Sequence, residues 1–194
     1  MTEQQPYDVL VRFPGFELRR YPAHLVAEVE VQSSFTNAGN DAFGILAAFI
    51  SGRNSTRAKV AMTAPVVQER GSRIAMTSPV IQGSGGESGR QIVGFVMPAA
   101  FTMETLPAPT DPRVSVREVP TEYAAAKTFT GRWTERSFTE QLADLRRAVT
   151  EAGLEICGHA RYARFDPPWT PWFLRRNEVV LPVVYDPASP SSGT

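Results

Sequence analysis

A run of strand-forming residues, a proline, a second apolar run and a helix-forming segment occur in that order twice in this chain. The first copy contains Glu17-Leu-Arg-Arg-Tyr-Pro22 and the second contains Ser115-Val-Arg-Glu-Val-Pro120. In each copy an arginine precedes the closing proline by three residues. Proline has no N–H to donate to a sheet, so each copy is typical of strand, turn, strand and helix. The duplication predicts one pseudo-twofold α+β domain built from two similar halves.

Two segments carry the start and stop signals of helices. Residues 137–153 open with the capping-box pattern Ser137-x-x-Glu140 and end at a glycine. Residues 34–52 also end at a glycine and place apolar residues at helical spacing. The spacing predicts that the apolar side of this first helix is formed by Phe35, Ala42, Phe43, Leu46, Phe49 and Ile50.

A shorter repeat lies between the two halves. Lys59-Val-Ala-Met-Thr-Ala-Pro-Val-Val-Gln68 is followed, after four residues that include a glycine, by Arg73-Ile-Ala-Met-Thr-Ser-Pro-Val-Ile-Gln82. This arrangement predicts a β-hairpin whose two strands are edge strands or carry a bulge at their prolines. With the other extended segments the sheet should have about eight or nine strands. The predicted pairs are Gln68 with Arg73, Met62 with Pro79, and Met76 with Pro65.

Charge and cysteine content exclude several classes of protein. Twenty basic and twenty acidic residues cancel, which argues against a nucleic-acid or acidic-membrane partner. The single cysteine, Cys157, excludes an intrachain disulfide. No segment approaches the ~18 apolar residues that cross a bilayer, and the first residues lack a secretory signal, so we expect a cytoplasmic protein. We expect one domain over residues 1–185 and a disordered tail over 186–194.

No catalytic motif is present: the sequence has no nucleophile elbow, phosphate-binding loop, dinucleotide fingerprint or zinc helix. We therefore do not expect an enzyme. The alternative in the enzyme class is a cofactor-free hydrolase that uses one glutamate in a pocket, and a second alternative is an effector-binding or protein-interaction module. The acids considered for the hydrolase are Glu104, Glu118, Glu122 and Glu178.

Four segments resemble the SOUL haem-binding family, and the resemblance extends from about residue 7 to residue 184. They are the Glu17 strand, Lys59-Val-Ala-Met-Thr-Ala-Pro-Val66, Phe95-Val-Met-Pro98 and the stretch Asp166-Pro-Pro-Trp-Thr-Pro-Trp-Phe-Leu-Arg-Arg-Asn-Glu-Val179. The resemblance implies a distorted antiparallel barrel or curved sheet with two packed helices. It also implies non-covalent binding of haem or another porphyrin in a shallow apolar groove beside the first helix.

A porphyrin needs an apolar slot for its ring and cations for its carboxylates, with an axial ligand as an option. His24 should point to solvent and His159 to the surface, so we expect haem capture without a strong axial histidine. Met62, Met76 and the helix residues are equally typical of ordinary core, and Trp133 is expected in the other half. Together with the resemblance, these considerations give the candidate haem-binding residues Phe43, Leu46, Ala47, Arg53, Met62, Met76, Trp169, Trp172, Arg175 and Arg176.

Overall fold

The computed structural model of the chain describes residues 3–61, 63–70, 89–166 and 169–187. Two helices, α1 (Phe35–Ile50) and α2 (Glu135–Glu151), lie at corresponding places in the two halves. A 3₁₀ turn covers Trp172–Leu174. The strands are β1 Glu3–Gln4, β2 Asp8–Phe13, β3 Phe16–Tyr21, β4 His24–Gln32, β5 Thr63–Ala64, β6 Val66–Arg70, β7 Arg90–Val96, β8 Val114–Val119, β9 Glu122–Thr130, β10 Glu155–Ile156, β11 Arg161–Arg164 and β12 Arg176–Val184.

Ten of these strands form one antiparallel sheet in the order β2-β3-β9-β12-β11-β6-β7-β4-β8, with β10 added beside β12. The short strands β1 and β5 pair separately and in parallel. This confirms the predicted α+β class with a curved antiparallel sheet and two helices. The sheet is open, so of the two predicted architectures the curved sheet is found and the closed barrel is not.

The pairing pattern of the sheet repeats with the duplication in the sequence. The first strand of each half pairs with the second strand of the other half: Arg19 lies opposite Ala124, and Arg117 lies opposite Val26. Both pairs fit the offset that separates Pro22 from Pro120. The halves meet where β6 and β11 pair, with Gln68 opposite Tyr162.

The helix starts show one error in the sequence analysis. Ser34 caps α1, and its hydroxyl accepts a hydrogen bond from the backbone N–H of Asn37. In α2 the cap is Thr134, whose hydroxyl accepts from the N–H of Ser137, so the predicted capping box at Ser137 is wrong. The physical reason is that Thr134 already caps the helix three residues earlier, so Ser137 lies within its first turn.

The predicted pairing of Gln68 with Arg73 is also wrong. Gln68 lies between Tyr162 of β11 and Val93 of β7, so both edges of its strand are already occupied. Hydrophobic faces determine register in a sheet, and β6 is central here rather than at an edge. The other hairpin pairs depend on Met62 and on residues 71–88, which lie outside the described part of the chain.

The two faces of the sheet differ in what covers them. The side that carries the helices contains two large apolar clusters, one around α1 and the other around α2. The opposite side, called here the open face, contains only two small apolar clusters among the described residues. Successive side chains along a strand point to opposite faces of the sheet, so every second residue of a strand lies on the same face.

Candidate functional site

One side of α1, at the border between its buried and its exposed faces, is part of the candidate site. Gly39, Phe43 and Ala47 follow one another at a spacing of four residues, so they lie along one side of the helix. Phe43 is 44% exposed, and its ring meets the buried Phe95 edge-on at 5.5 Å between centroids. Leu46 differs from its predicted role, because it is completely buried in the cluster around α1 and does not line a surface groove.

The loop before β12, residues 169–175, forms an exposed apolar surface called here the aromatic loop. Its exposed fractions are 83% for Trp169, 49% for Trp172, 57% for Phe173 and 62% for Leu174. The loop is ordered by its own hydrogen bonds: the N–H of Leu174 donates to the carbonyl of Pro171 at 2.9 Å, and Arg175 Nε donates to the carbonyl of Thr170 at 2.7 Å. Four neighbouring exposed apolar side chains are typical of a binding surface.

Trp133 lies beside the aromatic loop, contrary to the expectation that it belongs to a separate half. The Arg175 guanidinium lies 4.4 Å from the Trp133 ring centre, and the indole N–H donates to Asn177 Oδ1 at 2.8 Å. Arg132, the preceding residue, lies 5.2 Å from the Trp172 ring. The reason is the pairing of β9 with β12, which brings the end of β9 to the start of β12.

Arg164 links the aromatic loop to α1 and was not identified from the sequence. Its guanidinium lies 5.2 Å from the Trp133 ring and 5.8 Å from the Phe35 ring. A Cβ at Gly39 would come within 2.6 Å of Arg164 Nη1, so the guanidinium lies directly against the α1 backbone. The alternation of β11 provides a signal, because Tyr162 and Arg164 share the face that packs against the helices.

Two predicted cations have different positions. Arg53 is exposed just beyond α1, where its backbone carbonyl accepts a hydrogen bond from Thr110. Arg176 points to the open face, where it donates to Glu178 and lies 4.2 Å from the Phe165 ring. The sequence placed Arg176 with the groove beside α1, and this position is wrong. Strand alternation directs its side chain to the other face of the sheet. Met62 and Met76 lie outside the described residues.

The open face contains two small adjoining clefts that are open to solvent. Gln5, Val67 and Arg161 line both clefts, so the N-terminal segment lies between them. The first cleft has an aromatic lining that includes Tyr7 and Tyr21, and the second combines aliphatic with polar and charged side chains. These clefts and the surface beside α1 are on opposite faces of the sheet.

Glu178 lines the first cleft and is the buried acid that a hydrolase would need. Arg19 donates to both of its carboxylate oxygens at 2.9 and 3.2 Å, while Arg176 and Thr128 donate to Oε1. Burial alone would raise the pKa of Glu178, but the hydrogen bonds and charges of the two arginines outweigh burial and lower this pKa. An ionised carboxylate whose lone pairs are already occupied is a weak general base.

His24 lies on the open face of the sheet, as the strand alternation predicts. Its side chain lines the second cleft and does not point into open solvent. Its Nδ1–H donates to the carbonyl of Pro22 at 2.8 Å, so in the neutral ring Nε2 accepts from the Gln5 amide at 3.1 Å. Burial lowers the pKa of His24, and Arg161 and Arg117 act in the same direction against the Pro22 hydrogen bond and Glu122. Protonation would replace the acceptor at Nε2 with a second donor.

We expect the free energy of unfolding to fall as the pH drops below about 6.5, the unfolded value for histidine. The folded pKa of His24 is lowered, so the unfolded chain binds the proton more readily and stability is lost on the acid side. Urea unfolding between pH 7.5 and 5 should show this fall in the wild type and a smaller fall in His24→Gln. His159→Gln, at an exposed histidine, serves as the control. Identical slopes in the wild type and His24→Gln would contradict this assignment.

Within the described residues, no group of three or more histidine, cysteine, aspartate or glutamate side chains is placed to hold a metal ion. No helix in this part of the chain is long and apolar enough to span a bilayer.

The chain shares its fold with several solved structures. The C-terminal domain of EcmrR matches at 13% identity over 92% of this chain and 98% of that one, with a TM-score of 0.63. EcmrR in a complex with DNA matches at 13% identity over 86% and 56% of the two chains, with a TM-score of 0.61. A hydrolase from Listeria innocua matches at 12% identity over 86% and 91%, with a TM-score of 0.55. At these identities the likeness concerns the fold alone.

The comparison with protein families is more specific. No curated protein matches the chain. The family model described as SOUL heme-binding protein matches residues 2–182, which include both halves of the sheet, both helices and the aromatic loop. The chain therefore belongs to the SOUL haem-binding protein family.

Proposed function

We propose that this chain binds haem or a related tetrapyrrole without a covalent bond and acts as a carrier, buffer or sensor. The observation that supports this most directly is the exposed apolar surface of the aromatic loop, which Trp133 and Arg164 connect to the start of α1, in a chain of this family. Binding, not catalysis, is the activity proposed. The site consists of the Gly39–Phe43–Ala47 side of α1, the aromatic loop with Trp169, Trp172 and Arg175, and the cations around Trp133.

The residues present fit such a ligand. The planar ring can lie against Phe43 and the aromatic loop, since apolar and aromatic surface is what a porphyrin ring requires. Arg132, Arg164 and Arg175 already lie against indole or phenyl rings and can meet the ligand's carboxylates. Bound haem would supply an iron centre for redox or gas chemistry, while the chain orients the ring and shields one face. His24 is on the other face of the sheet, so histidine ligation at this site is not proposed for it.

The hydrolase alternative receives less support from the geometry. The solved hydrolase with this fold is only 12% identical, and the buried glutamate here is held ionised by two arginines. The effector-binding alternative has a more specific basis, because the open face offers two clefts separate from α1. The hydrolase alternative would be supported if the wild type hydrolysed an ester or amide and Glu178→Gln abolished that activity.

Hemin titration tests the proposed function, and tryptophan emission locates the ligand. Trp169 and Trp172 are in the aromatic loop, and Trp133 contacts Arg175 of the same loop. We expect a saturable Soret shift together with loss of most of the tryptophan emission. Because Trp133 is close to the loop, the emission that remains in Trp169→Phe/Trp172→Phe should also be quenched. Soret binding with intact emission would place the ligand elsewhere, and no saturable Soret shift would reject haem binding.

A further inference from the structure

A buried cation that has no acidic partner among the described residues lies between α1 and Trp133. Arg164 is 6% exposed. Its Nη2 donates to the carbonyl of Phe35 at 3.3 Å and to Gln68 Oε1 at 2.8 Å, and its Nε has no partner. Among the described side chains no carboxylate forms an ion pair with it. Burial lowers the pKa of this guanidinium to about 10, so it keeps its charge at neutral pH.

This arrangement is unusual, because a buried charge is costly unless an opposite charge compensates it. Among the described residues the other deeply buried arginine is Arg19, which has Glu178 as its counter-ion. Around Arg164 the described partners are neutral: an amide oxygen, a backbone carbonyl and two aromatic rings. Within the described part of the chain, this guanidinium therefore has no opposite charge.

The position of the guanidinium also points toward a ligand. Arg164 Nη1 occupies the space where a side chain at Gly39 would begin, so only helix backbone covers it on that side. Gly39 is one helical turn from the exposed Phe43 and lies on the same side of α1. On another side the cover is the Trp133 ring, which itself contacts Arg175 of the aromatic loop.

We propose that Arg164 is a carboxylate-binding site, and that it receives a peripheral carboxylate of a flat apolar ligand lying over Phe43 and the aromatic loop. This inference rests on the proposed function and extends it by naming the charge that selects the ligand. The helix α1 has no lysine or arginine of its own, so the cation comes from β11 beneath it. Nη1, beside Gly39, is the donor that a carboxylate would use, since Nε is enclosed by the protein.

The test compares hemin with hemin dimethyl ester, which has the same ring and no free carboxylate. Wild type should bind hemin more tightly than the ester. Arg164→Gln should weaken hemin binding by about 10- to 100-fold, the range for a hydrogen bond to a charged group, and leave ester binding within about threefold. Arg164→Lys should retain part of the preference, since it keeps the charge but not the planar fork.

Two more variants separate ligand binding from a structural role. Ligand-free Arg164→Gln should be as stable as the wild type or more stable, because the substitution removes an uncompensated buried charge. Gly39→Ala keeps the arginine but displaces it, and it should also reduce the preference for hemin over the ester. Arg136→Gln, at an exposed arginine of α2, should leave both affinities unchanged.

The possible failures can be told apart. If wild type binds neither hemin nor the ester saturably, the proposed function is wrong. If it binds both equally, or if Arg164→Gln keeps the full preference for hemin, the carboxylate site is wrong while tetrapyrrole binding stands. A ligand-free Arg164→Gln protein that is strongly destabilised would assign Arg164 to the fold and would also overturn the inference.

Discussion

Arg19→Met should lower the free energy of unfolding by about 3–5 kcal/mol, because it leaves the buried Glu178 carboxylate without its main counter-ion. Arg19 and Glu178 are each 2% exposed at the side chain and are joined by two hydrogen bonds. Arg176 and Thr128 stay in contact with Glu178, but they do not replace the lost guanidinium. Urea unfolding at pH 7, followed by circular dichroism, measures the change.

The duplication in the chain supplies a matched control. Arg117 occupies the position in the second half that Arg19 occupies in the first, but it is exposed and paired with Glu28. Arg117→Met should therefore cost less than about 1 kcal/mol. Removing both charges in Arg19→Met/Glu178→Leu should recover most of the stability, since a buried ion pair can often be replaced by apolar side chains. An equal cost at both arginines would show that burial does not decide the outcome.

The free energy of unfolding should also decline in acid, because protonation of Glu178 removes its attraction to Arg19 and Arg176. The folded pKa of Glu178 is lowered from its ordinary value of 4.5, so its contribution is present above that pH. It is lost as the pH falls through the folded pKa. In Glu178→Gln this part of the acid-induced loss of stability should be absent.

Much of the fold could be predicted because its signals are local and occur twice. Each helix has an apolar stripe and a closing glycine with positive φ, Gly52 in one case and Gly153 in the other. Each half also has the same proline between its first two strands. The partners of β6 could not be predicted in this way, since they come from β7 and from the distant strand β11. The resemblance of two neighbouring segments favoured a local hairpin, and at Gln68 the long-range sheet overrides it.

The candidate site was only partly predictable. Trp169 and Trp172 could be named as candidates from the sequence, and the structure places both at the surface. Leu46 shows the limit of periodicity, because a helix stripe does not say which of its members reaches the surface. Arg164 shows the opposite limit, since an arginine in a short strand is expected at the surface and this one is buried by α1 and Trp133.

The two halves differ at equivalent positions. Arg19 and Arg117 occupy equivalent places, yet one supports a buried ion pair in the first cleft and the other a surface pair beside the second. The equivalent helices differ as well: α2 carries several charged residues, whereas α1 has only Asp41. The apolar character of α1 therefore distinguishes it from α2 and marks the helix proposed to meet the ligand.

Trp172→Ser/Phe173→Ser should weaken hemin binding by roughly 30- to 150-fold, or about 2–3 kcal/mol. Burying a whole aromatic side chain contributes about 1.5–3 kcal/mol, and each of these has about half its surface left to bury. The 3₁₀ turn contains no buried residue, so stability should change little. Leu10→Ser/Val11→Ser, at two exposed apolar residues of β2, is the matched control and should keep full affinity. If the loop variant binds as the wild type does while the control does not, the ligand lies away from the aromatic loop, and the proposed site is wrong even though the chain binds haem.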